Sequence, residues 1–504
     1  MNARFRDSGA GTRDPLTESV ASLTLMALDR ATDANASQQL TEALQRLSQP
    51  LRLAIAGRVK AGKSTLLNAL VGEELAPTDA GECTRLVTWY IGGDTPRVIV
   101  HHRDGRREQR PFSRDEGALE VDLAAPVEAI DHLEVSWPSA RLKDVTLIDT
   151  PGIASISTET SDRASALLEA DEERPPTVDA VLYLLRHTHA SDVRFLESFH
   201  DDELGRGTPM NAVGVLSRAD EIGSCRMDAL QIAARVADRY QHDRRIRRLC
   251  PLVIPVAGLL GQAGTTLRED EFRALGRIAE LPEEVGQELL LTADRLTGPN
   301  QAVGLTELER RHLIDRLGLF GVRLSVMLIR AGEVRSATEL AHRLTGSSGL
   351  DELRGVLLRQ FTQRSQLLRA RSALAAVRAV ARRGGCSDPA LLEVAAEEVA
   401  ASAHEFVEFR LLNDLRAGTV EVPARLQDEV YRLLGGLGHG PARRLALADS
   451  ASPAECRAAA LEALVRWQKV AESPLSIRAL QLAAGVVVRT IEGILADLGS
   501  VASR

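Results

Sequence analysis

The hydrophobic pattern of the chain changes twice along its length. Between residues 15 and 48, apolar side chains such as Leu40, Leu44 and Leu47 recur every three or four positions. This spacing predicts one or two amphipathic helices, and Pro15 suits a first helical turn, where the backbone amide is not needed as a donor. From residue 51 onward, short apolar runs that end in glycine or a polar residue alternate with helical stretches.

Six of these apolar runs predict β-strands, at 51–56, 85–90, 145–149, 180–185, 213–217 and 253–256. Strands that alternate with helices are typical of a mainly parallel sheet with helices on its faces. Between the second and third strands, the apolar run 97–101 and the turn sequence Asp104-Gly105 predict an additional hairpin.

Beyond about residue 280 the strand pattern stops and helical periodicity continues. We predict helices at 282–296, 305–344, 350–383, 389–416, 421–435, 453–471 and 476–498. The segment 350–383 has no proline and a single glycine, Gly355. One helix of about 50 Å is therefore expected there, at about 1.5 Å per residue, as part of a stalk.

Composition restricts the classes of function. The 504 residues include 62 Lys and Arg against 70 Asp and Glu, a net charge of −8, and only 3% are aromatic. Nucleic-acid binding needs basic grooves and aromatic platforms, so we expect no nucleic-acid partner. Five scattered cysteines without CxxC spacing favour reduced thiols in the cytoplasm over disulfides or a zinc site.

The apolar segments are too short to predict a membrane span. The first residues lack the apolar segment of a secretory signal. The sequence has no uninterrupted apolar run of about 18 residues, and the nearest approach, 479–488, is interrupted by Gln481. Any membrane contact is therefore expected to be peripheral.

The clearest motif is GRVKAGKST, residues 57–65, which follows the first predicted strand and opens a helix. It has the form GxxxxGK[ST], a loop whose backbone amides surround phosphates. Lys63 is expected to reach the β- and γ-phosphate oxygens, and Ser64 to bind Mg²⁺. The nucleotide-binding residues predicted from this loop are Gly57, Lys60, Ala61, Gly62, Lys63, Ser64 and Thr65.

Two further segments predict contacts with Mg²⁺ and the γ-phosphate. Thr84 precedes the second strand, where a threonine offers its hydroxyl to Mg²⁺ and its amide to the γ-phosphate, as in the switch regions of GTPases. The sequence DTPG, residues 149–152, follows the third strand. We expect Asp149 to hold Mg²⁺ through water and the Gly152 amide to meet the γ-phosphate.

The segment Ser217-Arg-Ala-Asp220 decides between guanine and adenine. It follows a predicted strand, in the place of an [NT]KxD guanine motif. Asp220 is expected to accept hydrogen bonds from guanine N1 and N2, which adenine does not offer. Arg218 replaces the usual lysine over the base, and Ser217 replaces Asn or Thr. After the last strand, the amides of Ala257 and Gly258 are expected to reach guanine O6.

The order of these motifs along the chain resembles that of bacterial dynamin-like GTPases. The predicted helices before the first strand and the long helical half after the last strand add to this resemblance. Within that family, residues 51–90, the sequence LSRADEIG and the sequence LGLFGVRLSVMLIRAG resemble the actinobacterial isoniazid-inducible IniC type. The resemblance implies GTP hydrolysis coupled to association of G domains. It also implies peripheral binding or remodelling of a membrane.

Two positions depart from other GTPases. Ile153 stands where Ras-like enzymes place a water-orienting glutamine, so the resemblance implies that the Thr84 carbonyl orients the water instead. Lys60 lies where the large guanylate-binding GTPases carry an arginine within the P-loop. Lys60 is therefore either a second cation for the transition state, or a residue that faces solvent or the partner G domain.

Weaker patterns are interpreted as structural. His187 and His189 lack other metal ligands and predict a polar loop rather than a metal site. Arg244, Arg245, Arg247 and Arg248 predict a solvated helix face. A stripe of arginines shares one face of the long helix, and pairing with glutamates of the next helix is favoured over contact with lipid. The stripe comprises Arg364, Arg371, Arg378 and Arg382.

We therefore predict an α/β P-loop GTPase domain with a mainly parallel sheet, joined to a long all-α neck and stalk. The predicted division is 1–49 for N-terminal helices that pack with the neck, 50–280 for the GTPase domain and 281–504 for the neck and stalk. Lys63, Thr84 and Lys60 are the expected catalytic residues, and Ser64, Thr84 and Asp149 the expected Mg²⁺ ligands.

The expected function is that of a dynamin-like GTPase at the cytoplasmic face of the cell membrane. Its expected partners are GTP and GDP, an anionic membrane surface, and either a second copy of the chain or a second dynamin-like protein. The alternative is a soluble scaffold or assembly GTPase that acts on a protein partner without membrane contact.

Overall fold

The computed structural model describes residues 15–77, 86–115, 118–123, 125–151, 177–186, 211–250, 252–299 and 304–501. In these residues the strands are β1 (Leu51–Gly57), β2 (Val87–Gly92), β3 (Arg97–His102), β4 (Arg107–Arg110), β5 (Phe112–Asp115), β6 (Ala118–Val121), β7 (Ile130–Trp137), β8 (Val145–Asp149), β9 (Ala180–Leu185), β10 (Ala212–Ser217) and β11 (Val253–Val256). All six strands predicted from apolar runs are present, and β3 with β4 forms the predicted hairpin.

The main sheet has the order β11-β10-β9-β1-β8-β2-β7-β3-β4 over the described residues. Its central pairs are parallel, from β11 through β8, which confirms the mainly parallel sheet. The strand β2 runs antiparallel to β8 and parallel to β7, which the apolar runs did not predict. The strands β5 and β6 form a separate antiparallel pair.

The helices before residue 300 are α1 (Pro15–Asp29), α2 (Ala34–Arg46), α3 (Lys63–Val71), α4 (Ala229–His242), α5 (Arg244–Leu249), α6 (Gly258–Thr266), α7 (Glu269–Ala279), α8 (Glu283–Leu289) and α9 (Ala293–Thr297). The first two confirm the amphipathic helices predicted from residue 15. Asp33 caps α2 by accepting a hydrogen bond from the Ala36 amide, which satisfies a donor that the first turn leaves free.

The later helices are α10 (Glu307–Arg330), α11 (Ala337–Ser347), α12 (Leu350–Gln360), α13 (Ser365–Arg382), α14 (Pro389–Ser402), α15 (His404–Ala417), α16 (Ala424–Leu433), α17 (Pro441–Arg444), α18 (Pro453–Glu472) and α19 (Arg478–Val501). This long helical region is the predicted second part of the fold. The predicted helices 282–296, 305–344 and 389–416 are each two helices.

The expected single helix over 350–383 is wrong. The chain leaves α12 at Phe361 and passes through a turn of 3-10 helix before α13 begins. Arg364 in this turn is buried, donates to the Leu434 and Gly435 carbonyls, and lies over the Phe409 ring at 4.6 Å. Contacts with residues distant in sequence therefore interrupt a segment whose local sequence favours a helix.

The two predictions made for arginine clusters have different outcomes in the structure. Arg378 pairs with Glu397 of the next helix at 2.8 Å, as the favoured interpretation predicted. Arg247 corrects the solvated-face prediction for its cluster, because it donates to the Arg416 and Leu415 carbonyls at the end of α15. His187 and His189 lie outside the described residues.

Among the described residues, hydrophobic cores cover both faces of the sheet. On one face, Leu51, Leu53 and Ile55 of β1 share a core with α1, α2 and the helices after Leu350. On the other face, Ala54 and Ala56 share a core with helices between 229 and 344. The predicted domain boundaries stay predictions.

One helix in the described part of the chain, Arg478–Gly499, is long and apolar enough to cross a membrane by length and composition alone. Its mean hydropathy is 1.5, and 39% of the segment is buried in the protein, where it packs along α18. A core helix of a soluble protein meets the same two criteria.

Candidate nucleotide-binding site

The predicted site residues that the structure describes converge at one edge of the sheet. They follow the carboxyl ends of β1, β8, β10 and β11, which belong with β9 to the parallel part of the sheet. Ligands of open α/β sheets bind at this edge because the loops there converge on one crevice. Thr84 and Gly152 are also predicted for the site, but they lie outside the described residues.

The loop after β1 takes a shape that its glycines permit. Gly57 has a φ of 151°, and a Cβ atom there would lie 3.0 Å from the Leu184 carbonyl oxygen of β9. Gly62 caps α3 with a φ of 91°. Lys60 also has a positive φ, 61°, and its side chain is exposed. The first amides of α3 remain available as donors to an anion.

Lys63 projects from the start of α3 toward the loop carbonyls. Its Nζ donates to the Gly57 and Arg58 carbonyl oxygens at 3.2 and 3.3 Å. Burial lowers the pKa of Lys63, and the nearby Asp149 charge partly opposes this shift. A phosphate group bound in the loop would restore the preference for the charged ammonium.

Ser64 and Asp149 form the pair expected to hold Mg²⁺. Ser64 Oγ donates to Asp149 Oδ2 at 3.0 Å, whereas Asp149 Oδ1 is buried with no hydrogen-bond partner among the described residues. Burial raises the pKa of Asp149, against the effects of Lys63 and the Ser64 hydroxyl. An orphaned carboxylate oxygen beside a hydroxyl fits Mg²⁺, which prefers oxygen ligands and binds through one or two carboxylates plus phosphate.

A pocket of about 120 Å³ lies between the P-loop and the loop after β10. Its lining includes Asp220, the stem of Arg218 and, from the P-loop side, Ala61, Gly62 and Thr65. Burial raises the pKa of Asp220 to about 6. A buried carboxylate at the end of this pocket is suited to accept hydrogen bonds from the edge of a base.

Neighbouring strands and side chains hold this loop. Ser217 Oγ donates to the Leu185 carbonyl oxygen of β9 at 3.3 Å, so serine supplies a structural hydrogen bond at the position of the usual Asn or Thr. Arg218 has a φ of 53° and pairs with Glu221 at 2.7 Å. This pairing fixes the stem of Arg218 along the pocket.

The structure corrects the role predicted for the Ala257 amide. That amide donates to the Ser348 carbonyl oxygen at 2.9 Å, so it is not free to reach guanine O6. Gly258 lines the pocket at the start of α6, and its amide remains the candidate donor. A Cβ atom on Gly258 would lie 3.3 Å from Thr65 Cγ2, which favours glycine at this close approach.

Two contributors to the site were missed by sequence reasoning. Ser348 lies in the α11–α12 connection, and nothing in its local sequence indicates a contact with residue 257. Gly318 interrupts α10 with a φ of 66°, and a Cβ atom there would lie 3.6 Å from Asp220 Oδ2. The available signal for Gly318 was a glycine within an otherwise continuous helical pattern.

Residues 53–217 match the model of the dynamin family. The isoniazid-induced protein IniC of Mycobacterium tuberculosis (strain ATCC 25618 / H37Rv) is 39% identical over 469 residues, which cover 92% of this chain and 93% of the relative. A bacterial dynamin-like protein of Nostoc punctiforme is 33% identical over 132 residues, 23% of this chain and 19% of that protein.

A solved structure of an oligomerised bacterial dynamin pair aligns with 96% of this chain and 74% of its own, at 12% identity and a TM-score of 0.30. This score is too low to define a shared arrangement of domains.

Proposed function

We propose a function for this protein from the premise that the chain belongs to the dynamin family and is a bacterial dynamin-like GTPase. It hydrolyses GTP to GDP and phosphate through the residues assigned below. It couples this cycle to association of G domains and to peripheral binding of an anionic membrane surface.

One observation carries the nucleotide assignment. Buried Asp220 lines the same pocket as the P-loop residues Ala61, Gly62 and Thr65. Lys63 and the Ser64–Asp149 pair lie at that same P-loop. Lys63, Ser64 and Asp149 provide phosphate and metal chemistry, whereas Asp220 provides base selection. A P-loop alone does not distinguish guanine from adenine, so the position of Asp220 in a pocket that the P-loop also lines supports guanine.

The residues of the P-loop bind and orient the phosphates. The amides of the loop and of the first turn of α3 donate to phosphate oxygens, and Lys63 exchanges its contacts with the Gly57 and Arg58 carbonyls for the β- and γ-phosphates. Ser64 and Asp149, with Thr84, would hold Mg²⁺, which stabilises negative charge that develops during phosphoryl transfer when it is bound. Because Ile153 has no polar group, we assign the orientation of the attacking water to the Thr84 carbonyl.

The register of β2 supports the role assigned to Thr84. Thr88 of β2 lies opposite Asp149 of β8 in the antiparallel pair. Thr84 precedes β2 in the chain by a few residues. The Gly152 amide, just after Asp149, is assigned to the γ-phosphate.

Asp220 selects the base. Its two carboxylate oxygens accept from guanine N1 and N2, whereas the same edge of adenine offers no such pair. A buried carboxylate left without donors is strongly unfavourable, so adenine is rejected more than the loss of two hydrogen bonds alone would suggest.

Exposed apolar residues support membrane contact. Leu475 and Ile477, in the connection between α18 and α19, are 95% and 54% exposed. Such a protruding apolar connection is suited to shallow insertion among lipid headgroups.

The nucleotide assignment is tested by equilibrium binding of GDP, ADP and xanthosine diphosphate to the purified full chain. We expect wild type to prefer GDP strongly over ADP, and Asp220→Asn to prefer xanthosine diphosphate, whose C2 oxygen accepts from the new amide. Lys63→Ala serves as a reference that loses affinity for all nucleotides. Equal wild-type affinity for GDP and ADP would contradict the assignment.

A further inference from the structure

The loop that carries Asp220 adopts a backbone conformation that needs external support. It follows β10 and includes the 3-10 turn Ala219–Glu221. The next residues include Gly223, Ser224 and Cys225, with φ values of 68°, 62° and 58°. Residues with a Cβ atom rarely adopt this region, because the Cβ is crowded by the backbone. Contacts from outside the loop must therefore hold Ser224 and Cys225.

Arg323 of α10 supplies such a contact. Its Nη1 donates to the Cys225 carbonyl oxygen at 2.6 Å, its Nε to the Leu290 carbonyl at 2.7 Å, and its Nη2 to the Leu291 carbonyl at 2.9 Å. Leu290 and Leu291 directly follow α8, where helix carbonyls lack partners within the helix. One planar guanidinium thus joins the strained loop to the end of a helix.

The same helix also approaches Asp220 directly. The interruption of α10 at Gly318 lies close to Asp220 Oδ2, as described above. The loop therefore approaches α10 at two places, with Asp220 near Gly318 and Cys225 at Arg323. Arg323 itself is not among the residues that line the pocket, so its influence on the nucleotide passes through the loop.

We propose that Arg323 is a positioning residue for guanine recognition, which fixes the Cys225 end of the loop so that both carboxylate oxygens of Asp220 face the donors of the base. The proposal rests on the proposed assignment of Asp220 to guanine. A loop that is ordered before the nucleotide arrives loses less conformational entropy on binding. Without Arg323, the residues with positive φ relax and Asp220 leaves its position.

The test compares the affinities of the full chain for GDP and for inosine diphosphate (IDP). Hypoxanthine lacks the N2 amino group, so IDP forgoes one of the two hydrogen bonds to Asp220. In wild type we expect GDP to bind at least about tenfold more tightly than IDP, which corresponds to one hydrogen bond to a charged group. In Arg323→Ala we expect GDP affinity to fall about tenfold and the GDP/IDP ratio to approach one.

Arg330→Ala is the matched control. Arg330 lies on the same helix and also donates to backbone carbonyls, those of Ala279, Ile278 and Leu281, none of which belongs to the Asp220 loop. We expect this variant to keep the wild-type GDP/IDP ratio, whatever its thermal midpoint. A general loss of stability would lower the midpoints of both variants without changing this ratio.

The proposal is overturned if Arg323→Ala keeps the wild-type ratio of GDP affinity to IDP affinity. It is also overturned if Arg330→Ala lowers this ratio as much as Arg323→Ala does. If Arg323→Ala does not fold, Arg323→Lys keeps the stem and the charge but loses the planar group that reaches three carbonyls, and the same criteria apply. Failure of wild type to distinguish GDP from ADP would contradict the proposed function instead, so the two failures are distinguishable.

Discussion

At the scale of residues, burial changes the charge state of the group that reads the base. Asp220 is 4% exposed, and burial raises its pKa to about 6. The ionised form is the one that accepts two hydrogen bonds from guanine. Binding therefore favours the deprotonated carboxylate and lowers its pKa again.

We expect GDP affinity to fall as the pH is lowered through about 6, because a protonated Asp220 no longer accepts two hydrogen bonds. Below that pH the loss approaches tenfold per pH unit. Phosphate groups titrate in the same range, so Asp220→Asn serves as the control that lacks the carboxyl. The affinity of wild type relative to this variant should decrease from pH 8 to pH 5, and a constant ratio would show that Asp220 does not titrate on binding.

Lys60 poses a different question, because it is exposed and yet belongs to the P-loop. Its φ of 61° places the Lys60 backbone in the left-handed region, outside ordinary helical or extended geometry. We expect Lys60→Ala to leave GDP affinity within about twofold, since no contact with the base pocket is lost, and to lower turnover at saturating GTP about a hundredfold if the cation meets the transition state. Turnover, affinity and dimerisation are measured together.

Unchanged turnover of Lys60→Ala would remove the catalytic role of Lys60. If Lys60→Ala lost dimerisation but kept its affinity for GDP, Lys60 would be assigned to the contact between G domains. Lys60→Arg is the conservative control, since it keeps a cation of similar reach.

At the scale of elements, a partly buried cluster of polar side chains connects helices that are distant in the sequence. Glu408 of α15 accepts from Arg444 of α17 at 2.9 Å and from the Thr490 hydroxyl of α19, and it pairs with His404 at 3.3 Å. Burial alone would raise the pKa of Glu408, but the His404 hydrogen bond, the Arg444 charge and the Thr490 hydroxyl lower it to about 2.

We expect Glu408→Gln to destabilise the helical region by about 3 kcal/mol, because Arg444 would lose the carboxylate charge that compensates its partial burial. The thermal midpoint of that region should fall by roughly 6–12 °C, the shift typical of 150–250 cooperative residues. Glu405→Gln, at an exposed position of the same helix, should leave the thermal midpoint unchanged. Equal midpoints of the two variants at pH 7 would contradict a structural role for the Glu408 charge.

The direction of the pH dependence follows from the same pKa. A carboxyl whose folded-state pKa is lowered stabilises the fold above its unfolded pKa and loses this contribution as the pH falls toward the folded value. The Glu408 contribution should therefore persist at pH 7 and be lost between about pH 4.5 and 2.

At the scale of the whole molecule, the helical region carries the apolar connection proposed for membrane contact. We expect wild type to sediment with anionic vesicles, and Leu475→Ser to lose about tenfold in partitioning, since burial of one leucine contributes about 1.5 kcal/mol or more. Leu461→Ser removes an exposed leucine from the side of α18 and is the matched control.

Carbonate extraction completes the membrane test, because α19 satisfies length and hydropathy criteria for a span. Extraction by carbonate is expected for peripheral binding. Resistance would indicate that α19 inserts. No vesicle binding with or without a GTP analogue would favour the scaffold alternative.

The sequence by itself determined the features that depend on neighbouring residues. The P-loop, the six apolar strands and the helical second half follow from local periodicity and backbone preference. The strands β5 and β6 were missed because each has only four residues, and β7 was missed although its alternating Leu133, Val135 and Trp137 are buried. The functional roles of Thr84 and Gly152 and the domain boundaries stay predictions.

Only the tertiary structure decided which groups were already engaged with distant partners. It ended α12 at Phe361, gave the Ala257 amide to Ser348, directed Arg247 to the end of α15 and placed Arg323 against the loop of Asp220. In each case a polar group is satisfied by a residue far away in the chain. Periodicity reports which face of an element is buried, but not which partner meets it there, because that partner is selected by packing of the whole molecule.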